Sequence, residues 1–429
     1  MKTNQAVCLL NDSFPPLIDG VANAVVNYAE QITKSGAQAV VVTPNHPDAE
    51  DSRFPYPIVR YPSIDIRHKV GYLAGVPFSP EVASYVTREK IAILHSHCPI
   101  VSTLMARQLR QITDAPLVMT YHTKFDIEIS NILHSKLLQS GSKKALVHNI
   151  SACDEIWVVS KGAGENLSKL GYEGDFVVMP NGVDFPHGRV SKEAVSQATE
   201  GYDLPDGVTV FLFVGRMRWY KGQRIILDAL SKIAADGHDF RMVFVGSGSD
   251  EAEIKAYAQE CGIGKKCIFT GAIAERETLR AWYCRADLFL FPSTFDTNGL
   301  VVREAAACSV ASVLIRGSCA AEGITDGRNG YLIEENAESL AECLLALWNK
   351  RDLMHQAGEL ANQEIYISWE TAVHAAMERY EIVIDRYKSG LYPSRREPMD
   401  VLLKANGELM EDLGHLMALR KEMHHHSEP

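Results

Sequence analysis

The sequence predicts an α/β protein made of two doubly wound parallel sheets in tandem. Three observations predict it. Short apolar runs alternate with helical patterns along most of the 429 residues; the runs are apolar on both faces, as strands covered by helices on either side must be; and the rhythm breaks between Asp184 and Gly207, then restarts. At roughly 150 residues per domain, the length agrees with two or three domains.

The first strand is Ala6-Val7-Cys8-Leu9-Leu10, followed by a helix from about Val21 to Ser35 and a strand Ala39-Val40-Val41-Val42. Ile91-Ala92-Ile93-Leu94, Leu117-Val118-Met119 and Glu155-Ile156-Trp157-Val158-Val159 continue the series. The polar stretch Asp184 to Gly207, with Pro186, Gly188 and Leu204-Pro205, reads as a linker. Strands then resume at Val208–Val214, Arg241–Val245, Cys267–Thr270, Leu288–Leu290 and Ala311–Ile315. Ser368-Trp369-Glu370 opens a helix to about Lys388, which Gly390, Pro393 and Pro398 end, and residues 399–420 fit one more amphipathic helix. The expected organisation is a first domain over 1–185, a linker over 186–207, a second domain over 208–365, a crossing helix over 366–388 and an extension over 389–429.

Apolar residues make up 46% and charged residues 23%, an ordinary globular mixture. No apolar run reaches membrane-spanning length, and Met1 to Leu10 lacks the pattern of a secretory signal, so an intracellular, cytoplasmic protein is expected. The nine cysteines stand singly, without a C-x-x-C pair for zinc or redox chemistry. A formal charge of −11 argues against nucleic acid as a partner. The charge is uneven: residues 1–190 hold 17 Lys and Arg against 18 Asp and Glu, and the acidic excess lies in the rest.

Ligands of open α/β sheets bind beyond the carboxyl ends of strands, often on the amides of a following helix. Asn11 to Gly20 follows the first strand, and Gly20 stands at a helix entry, where it serves either ligand approach or the turn alone. Gly215-Arg216-Met217-Arg218-Trp219-Tyr220-Lys221-Gly222 follows the first strand of the second half. It lacks the spacing of a P-loop, yet it sets Arg216 and Lys221 at a strand-to-helix corner, suited to a diphosphate; the alternative is a solvated basic loop. Phe295-Asp296-Thr297-Asn298-Gly299-Leu300-Val301-Val302-Arg303-Glu304 is the sharpest local signal. Its helix start offers the amides of Asn298, Gly299 and Leu300 to a phosphate or sugar oxygen, and Asp296 and Glu304 each meet a different hydroxyl, unless Asp296 merely favours the helix dipole. His122, His95 and His97 close strands in the first half, as site residues or as satisfied core histidines. No D-x-D pair offers a divalent metal its clamp, so no metal site and metal-independent chemistry are expected.

Together these segments resemble the retaining glycosyltransferases of family 4, which have the two-Rossmann GT-B architecture. The likeness spans residues 5–388 in order. It takes in Gly20, Tyr121-His122-Thr123, Asn181-Gly182-Val183-Asp184, Gly215-Arg216, Lys221-Gly222, Gly246-Ser247-Gly248, Phe269-Thr270-Gly271, Ala286-Asp287, the Asp296 to Glu304 segment, Gly327-Arg328-Asn329-Gly330 and Ser368-Trp369-Glu370. The resemblance implies two Rossmann-like domains facing a central cleft, with the last helix crossing back to the first. It implies that Arg216 and Lys221 hold the donor diphosphate, Glu304 the ribose hydroxyls and the turn at Thr270 the uracil, with Gly215 and Gly246 in the same donor-binding turns. Asp296 and the Asn298, Gly299 and Leu300 amides then face the donor sugar, and His122 and Gly20 come from the opposite domain, His122 positioning donor and acceptor rather than acting as an obligatory base. Where the family pattern has glutamate, this chain has Asp296.

The Asp-Thr-Asn-Gly-Leu-Val wording is closest to the branch that makes glycosyl-diacylglycerols. This implies a UDP-hexose donor, with glucose favoured, a lipid or sugar acceptor, no further cofactor, and front-face transfer in which the leaving diphosphate takes the acceptor proton. It also implies a peripheral contact with anionic membrane at the inner face of the plasma membrane, through Arg60 to Phe78 (Arg67, His68, Lys69, Tyr72) or Ser135 to Leu146 (Lys136, Lys143, Lys144); solvated helix faces are the alternative. A soluble acceptor, a UDP-sugar epimerase and a non-catalytic sugar-nucleotide binder are the competing functions.

Overall fold

The computed structural model describes residues 6–17, 19–65, 73–125, 129, 135–392 and 398–425. The chain divides into two compact units, one of residues up to Pro180 together with Trp369 onward, the other of Asn181–Ser368.

The first unit runs β1 (Ala6–Leu10), α1 (Gly20–Lys34), β2 (Gln38–Pro44), β3 (Ile58–Tyr61), β4 (Ser63–Asp65), β5 (Leu73–Gly75), α2 (Pro80–Arg88), β6 (Ile91–Ser96), α3 (Val101–Thr113), β7 (Leu117–Tyr121), α4 (Lys136–Ser151), β8 (Glu155–Val158), α5 (Lys161–Lys169) and β9 (Val177–Val178). Seven of these strands form a parallel sheet in the order β3-β2-β1-β6-β7-β8-β9, and β4 and β5 pair antiparallel beside it. The order reverses between β1 and β6. Burial explains the helices: α1 turns Ala22, Val25, Ala29 and Ile32 inward at helical spacing, and the Asp19 carboxylate caps its start.

The second unit holds α6 (Lys192–Ala198), β10 (Thr209–Val214), α7 (Gln223–Ala235), β11 (Phe240–Val245), α8 (Glu251–Glu260), β12 (Cys267–Gly271), α9 (Arg276–Arg285), β13 (Leu288–Phe291), α10 (Leu300–Ala307), β14 (Ser312–Ile315), β15 (Tyr331–Ile333), α11 (Ala337–Leu347) and α12 (Arg351–Glu364). Its parallel sheet is ordered β12-β11-β10-β13-β14-β15, with the reversal between β10 and β13. Phe211, Phe213, Phe244, Phe289 and Phe291 fill its core.

The chain then returns to the first unit with α13 (Trp369–Lys388) and α14 (Pro398–His425). On α13, Tyr380 stacks on Trp157 of β8 with ring centroids 5.2 Å apart, and Arg379 pairs with Glu155 at 2.6 Å. On α14, Asp400 is buried against Arg107 at 3.0 Å and Arg110 at 3.7 Å, both from α3. A Cβ at Gly414 would lie 2.3 Å from the Pro80 carbonyl oxygen, so α14 approaches the start of α2 closely only because that position is glycine.

The expected linker differs from what is observed. Residues 186–207 belong to the second unit, whose boundary falls after Pro180 rather than after 185. Phe185 is buried in that unit's core, Arg280 donates to the Gly188 carbonyl at 2.9 Å, and Arg189 donates to the carbonyls of Cys284 and Cys308. Such docking runs through backbone carbonyls and arginines, and apolar periodicity does not register it. β3, β4, β5, β9 and β15 were likewise outside the strand rhythm; each is two to four residues long.

Candidate active site

In the second unit the loops after β10 and β13 diverge at the point where strand order reverses, which is where open α/β sheets bind ligands. The β10 loop ends at Gly222, with φ +89°; a Cβ there would lie 2.0 Å from the Pro292 carbonyl oxygen in the β13 loop. Glycine therefore lets the two loops touch. Gly246 does the same one strand over, with φ +136° and a would-be Cβ 2.0 Å from the Gly215 carbonyl oxygen.

That contact brings Lys221 and Asp296 together. The Lys221 ammonium donates to Asp296 Oδ1 at 2.6 Å, and Ser293 Oγ donates to Oδ2 at 2.7 Å. The rings of Tyr220, Phe291 and Phe295 surround the ammonium with centroids 5.8, 5.8 and 5.5 Å from Nζ. Arg216 stands exposed at the mouth of the same loop, and its carbonyl accepts from Gln223 Nε2 at 3.1 Å. Helix α10 starts behind Gly299, whose φ is +56°, and α7 behind Gly222; glycine at each cap position supplies no capping side chain of its own. Two helix N-termini without a side-chain cap, one lysine and one arginine give this corner a positive potential that suits an anion with more than one charge. Asn298, Gly299 and Leu300 supply the backbone at the α10 start.

Glu304 faces inward from α10. It accepts from the Tyr283 hydroxyl at 3.0 Å and from Arg276 Nη2 at 3.2 Å, and Arg276 also reaches Asp184 at 3.5 Å. Burial holds the Glu304 carboxyl above its ordinary pKa while Arg276 and Tyr283 oppose the shift; burial and Glu304 together push the Tyr283 hydroxyl well up. A buried carboxylate with few neighbours retains lone pairs for a pair of ligand hydroxyls. At the ends of β11 and β12, the Gly271 carbonyl accepts from the Gly246 amide at 2.9 Å, which ties the turn carrying Thr270 to the one carrying Gly246. The Thr270 hydroxyl donates to the Gly271 carbonyl at 3.0 Å, within its own turn.

The first unit has the same kind of switch point between β1 and β6, with a different outcome. Asp12 occupies the start of α3, accepting from the amides of Val101 and Ser102 at 3.1 and 2.6 Å. Asp19 occupies the start of α1, accepting from Val21 and Ala22 at 2.8 and 2.7 Å. Neither helix end is left for a phosphate. Gly20 is exposed, and a Cβ on it would meet nothing within 4 Å, so a ligand can approach its backbone although the amides beyond it are taken. His122 is buried beside His97, with His122 Nε2 and His97 Nδ1 3.0 Å apart and the rings stacked. His95 binds the Tyr380 hydroxyl and Thr120. Burial lowers the His122 pKa to about 3 and those of His95 and His97 well below the usual range, so all three rings are neutral.

The structure thus gathers Lys221, Asp296, Asn298, Gly299 and Leu300 at one corner, with Arg216 at its mouth and Gly215, Gly246, Thr270 and Glu304 in the turns and helix around it, while Gly20 and His122 lie in the first unit. Asp296 faces Lys221 rather than standing free, which sequence alone did not show. Tyr283 and Arg276 were missed because nothing local marks a residue that supports a carboxylate 21 or 28 positions on; Asp19 carried a usable signal as an acid just before a helix start. Of the basic residues expected at a membrane surface, Arg60 is spent inside the fold, bidentate to Asp51 at 2.8 Å and donating to the Pro15 carbonyl at 2.9 Å. Arg67, His68, Lys69 and Tyr72 lie outside the described residues. On α4, Lys136 and Lys144 are exposed, Lys143 is half-buried, and Leu137 and Leu138 are 82% and 58% exposed. Among the described residues, no helix is long and apolar enough to cross a membrane.

The two parallel Rossmann-like sheets are those of the GT-B architecture. Two family models match, one in each half of the chain: Glycosyltransferase Family 4 over residues 18–185 and Glycosyl transferases group 1 over residues 197–364. The chain belongs to the family 4 glycosyltransferases. Relatives include a GDP-mannose-dependent alpha-mannosyltransferase of Corynebacterium glutamicum, 27% identical over 88% of this chain and 89% of that protein. An alpha-monoglucosyldiacylglycerol synthase of Streptococcus pneumoniae is 24% identical over 70% of this chain and 68% of that one. Among solved structures, HepE of Anabaena in complex with UDP has a TM-score of 0.70 at 16% identity, covering 88% of this chain and all of that one. Sucrose-phosphate synthase of Thermosynechococcus elongatus has a TM-score of 0.70 at 19% identity, covering 89% and 99%. These structural likenesses show the fold.

Proposed function

We propose that this glycosyltransferase moves a hexose from a UDP-sugar to an acceptor hydroxyl with retention at the anomeric carbon and without a metal, glucose being the favoured hexose and a lipid such as diacylglycerol the favoured acceptor. The observation that carries the donor side is the contrast between the switch points. In the first unit Asp12 and Asp19 fill both helix starts, whereas in the second unit α7 and α10 are uncapped and face Lys221. In the second, a diphosphate meets helix-start amides that no carboxylate occupies, although Lys221 must turn from Asp296 toward it.

In this reading Lys221, Arg216 and the α10 amides neutralise the charge that grows on the diphosphate as its bond to the sugar lengthens. The bond from the anomeric carbon to phosphate breaks, the acceptor oxygen bonds to that carbon from the same face, and the acceptor proton passes to the leaving phosphate oxygen. Asp296 holds Lys221 in place before the donor arrives, and Glu304, steadied by Tyr283, takes the ribose hydroxyls. The exposed Leu137 and Leu138 beside Lys136 and Lys144 on α4 support a peripheral contact with anionic membrane, where a lipid acceptor would be met. The C. glutamicum relative supports a second reading in which the donor is GDP-mannose.

The test offers UDP-glucose, UDP-galactose, UDP-N-acetylglucosamine and GDP-mannose in turn with diacylglycerol vesicles or soluble sugars, and reads the product anomer by NMR. An α-linked glucolipid from UDP-glucose is the expected product. An inverted anomer, or sugar epimerised without any acceptor, overturns the reading.

A further inference from the structure

One guanidinium nitrogen serves two carboxylates in the second unit. Arg276 Nη2 donates to Glu304 Oε1 at 3.2 Å and to Asp184 Oδ2 at 3.5 Å. Asp184 ends the Asn181-Gly182-Val183-Asp184 motif, so this shared nitrogen ties that motif to the helix carrying Glu304. The guanidinium is seated over the Phe185 ring, 4.4 Å from its centroid. Arg276 and Asp184 are exposed, whereas Glu304 is buried.

Arg276 and Tyr283 take one Glu304 oxygen each, the Tyr283 hydroxyl donating to Oε2 at 3.0 Å. An ionised carboxylate accepts on both oxygens, and each has a second lone pair for a ligand hydroxyl; protonation would turn one of those acceptors into a donor. Burial works toward that protonation, Arg276 and Tyr283 work against it, and the negative charge of Asp184 sides with burial. Asp184 also draws on the same nitrogen that Glu304 uses. Arg303, next to Glu304 on α10, turns to the Ile365 carbonyl instead, at 2.8 Å.

We infer that Arg276 is a positioning residue of the donor site: divided between Asp184 and Glu304, it keeps Glu304 a charged acceptor on both oxygens for the neighbouring hydroxyls of the donor ribose. Asp184 tempers that hold. The inference rests on the reading of Glu304 as the ribose partner, and it adds which neighbours set the pH range over which that partner works.

The test measures UDP-glucose binding to the full chain by calorimetry from about pH 5 to about pH 8, where the diphosphate diester keeps one charge state. Affinity in the parent falls at the acid end as Glu304 takes up a proton, and Glu304→Gln removes that limb of the profile. In Arg276→Met the limb begins about one pH unit higher, so binding is about tenfold weaker than the parent's at the acid end and much closer to it at the alkaline end. Arg276→Lys, which keeps a cation, restores most of the parental profile, and Asp184→Asn moves the limb to lower pH. The start of α9 survives these changes, because Glu275 caps it by accepting from the Glu277 amide at 2.9 Å. An Arg276→Met profile that runs parallel to the parent's, however much weaker, overturns the inference, as does an Asp184→Asn limb displaced in the same direction as that of Arg276→Met. The 2′-deoxyribose analogue of UDP-glucose separates the two levels. If the parent binds it as tightly as UDP-glucose at every pH, Glu304 is not the ribose partner and the donor reading falls with the inference. If the parent prefers the ribose form while Arg276→Met keeps the parental limb, the donor reading stands and the inference alone falls.

Discussion

Replacing Lys221 with methionine keeps the length and removes the charge of the group to which the proposed function assigns the diphosphate. Its ammonium sits 2.6 Å from Asp296, with the two side chains 11% and 22% exposed. Breaking a fully buried ion pair costs about 3–5 kcal/mol because one charge is left behind. At these exposures water reaches the orphaned carboxylate and Ser293 still donates to it, so a loss of about 1–2 kcal/mol is expected. The effect on turnover is larger: loss of one preorganised cation from a developing oxyanion site is worth about 2.7–4 kcal/mol, or roughly 100- to 1000-fold in kcat. Adding Asp296→Asn separates the two roles. The double variant recovers most of the lost stability, because no carboxylate is stranded, and it recovers none of the turnover. Steady-state transfer from UDP-glucose and chemical unfolding measure both quantities on the same samples. A Lys221→Met enzyme that transfers at the parental rate, or a double variant that regains activity along with stability, refutes the assignment of Lys221 to the diphosphate.

Glu304→Gln weakens UDP-sugar binding by roughly tenfold in calorimetry, the worth of one charge-assisted hydrogen bond. Because burial raises the Glu304 pKa in the folded protein, the stability tied to this carboxyl is intact below its unfolded value and is lost as pH rises through the folded one; the unliganded Gln variant therefore gains on the parent across that window. Gly20→Ala folds with a stability within about 1 kcal/mol of the parent yet transfers sugar more slowly, whereas Gly246→Ala, with its Cβ against the Gly215 carbonyl, loses about 3 kcal/mol or more; equal losses in thermal unfolding would contradict the difference in space around them. His122, with its pKa lowered from 6.5 to about 3, withdraws stability as pH falls through that interval, by up to about 1.4 kcal/mol per pH unit; acid unfolding of His122→Gln followed by circular dichroism has a shallower slope, and parallel slopes would count against a buried neutral ring. Asp400→Ala leaves Arg107 buried without its carboxylate, while Arg110 keeps Asp154 at 3.4 Å, and destabilises the first unit by about 3 kcal/mol in denaturant titration.

Much of this was legible in the amino-acid order, and the rest was hidden for identifiable reasons. Central strands such as Phe211 to Val214 are apolar on both faces, and that pattern has few other meanings. Glycines at Gly222, Gly246 and Gly299 marked the tight corners because each stands where a side chain would strain the backbone or collide. The Lys221–Asp296 pair was out of reach, since 75 positions separate its members and only the reversal of strand order makes them neighbours. Tyr283 looked like core, which it is, and its hydroxyl gains meaning only against Glu304. The stretch from 186 to 207 was misjudged because arginines reaching carbonyls can anchor a polar segment as firmly as apolar side chains do.

That the polypeptide comes back to the first unit with Trp369 bears on the order in which a nascent chain can mature. Tyr380, which covers Trp157, and Asp400, which neutralises Arg107 and Arg110, leave the ribosome only after all of Asn181–Ser368 has been made. The half that is translated first is therefore completed last, and a premature stop between Ser368 and Asp400 would injure the amino-terminal half while sparing the later one.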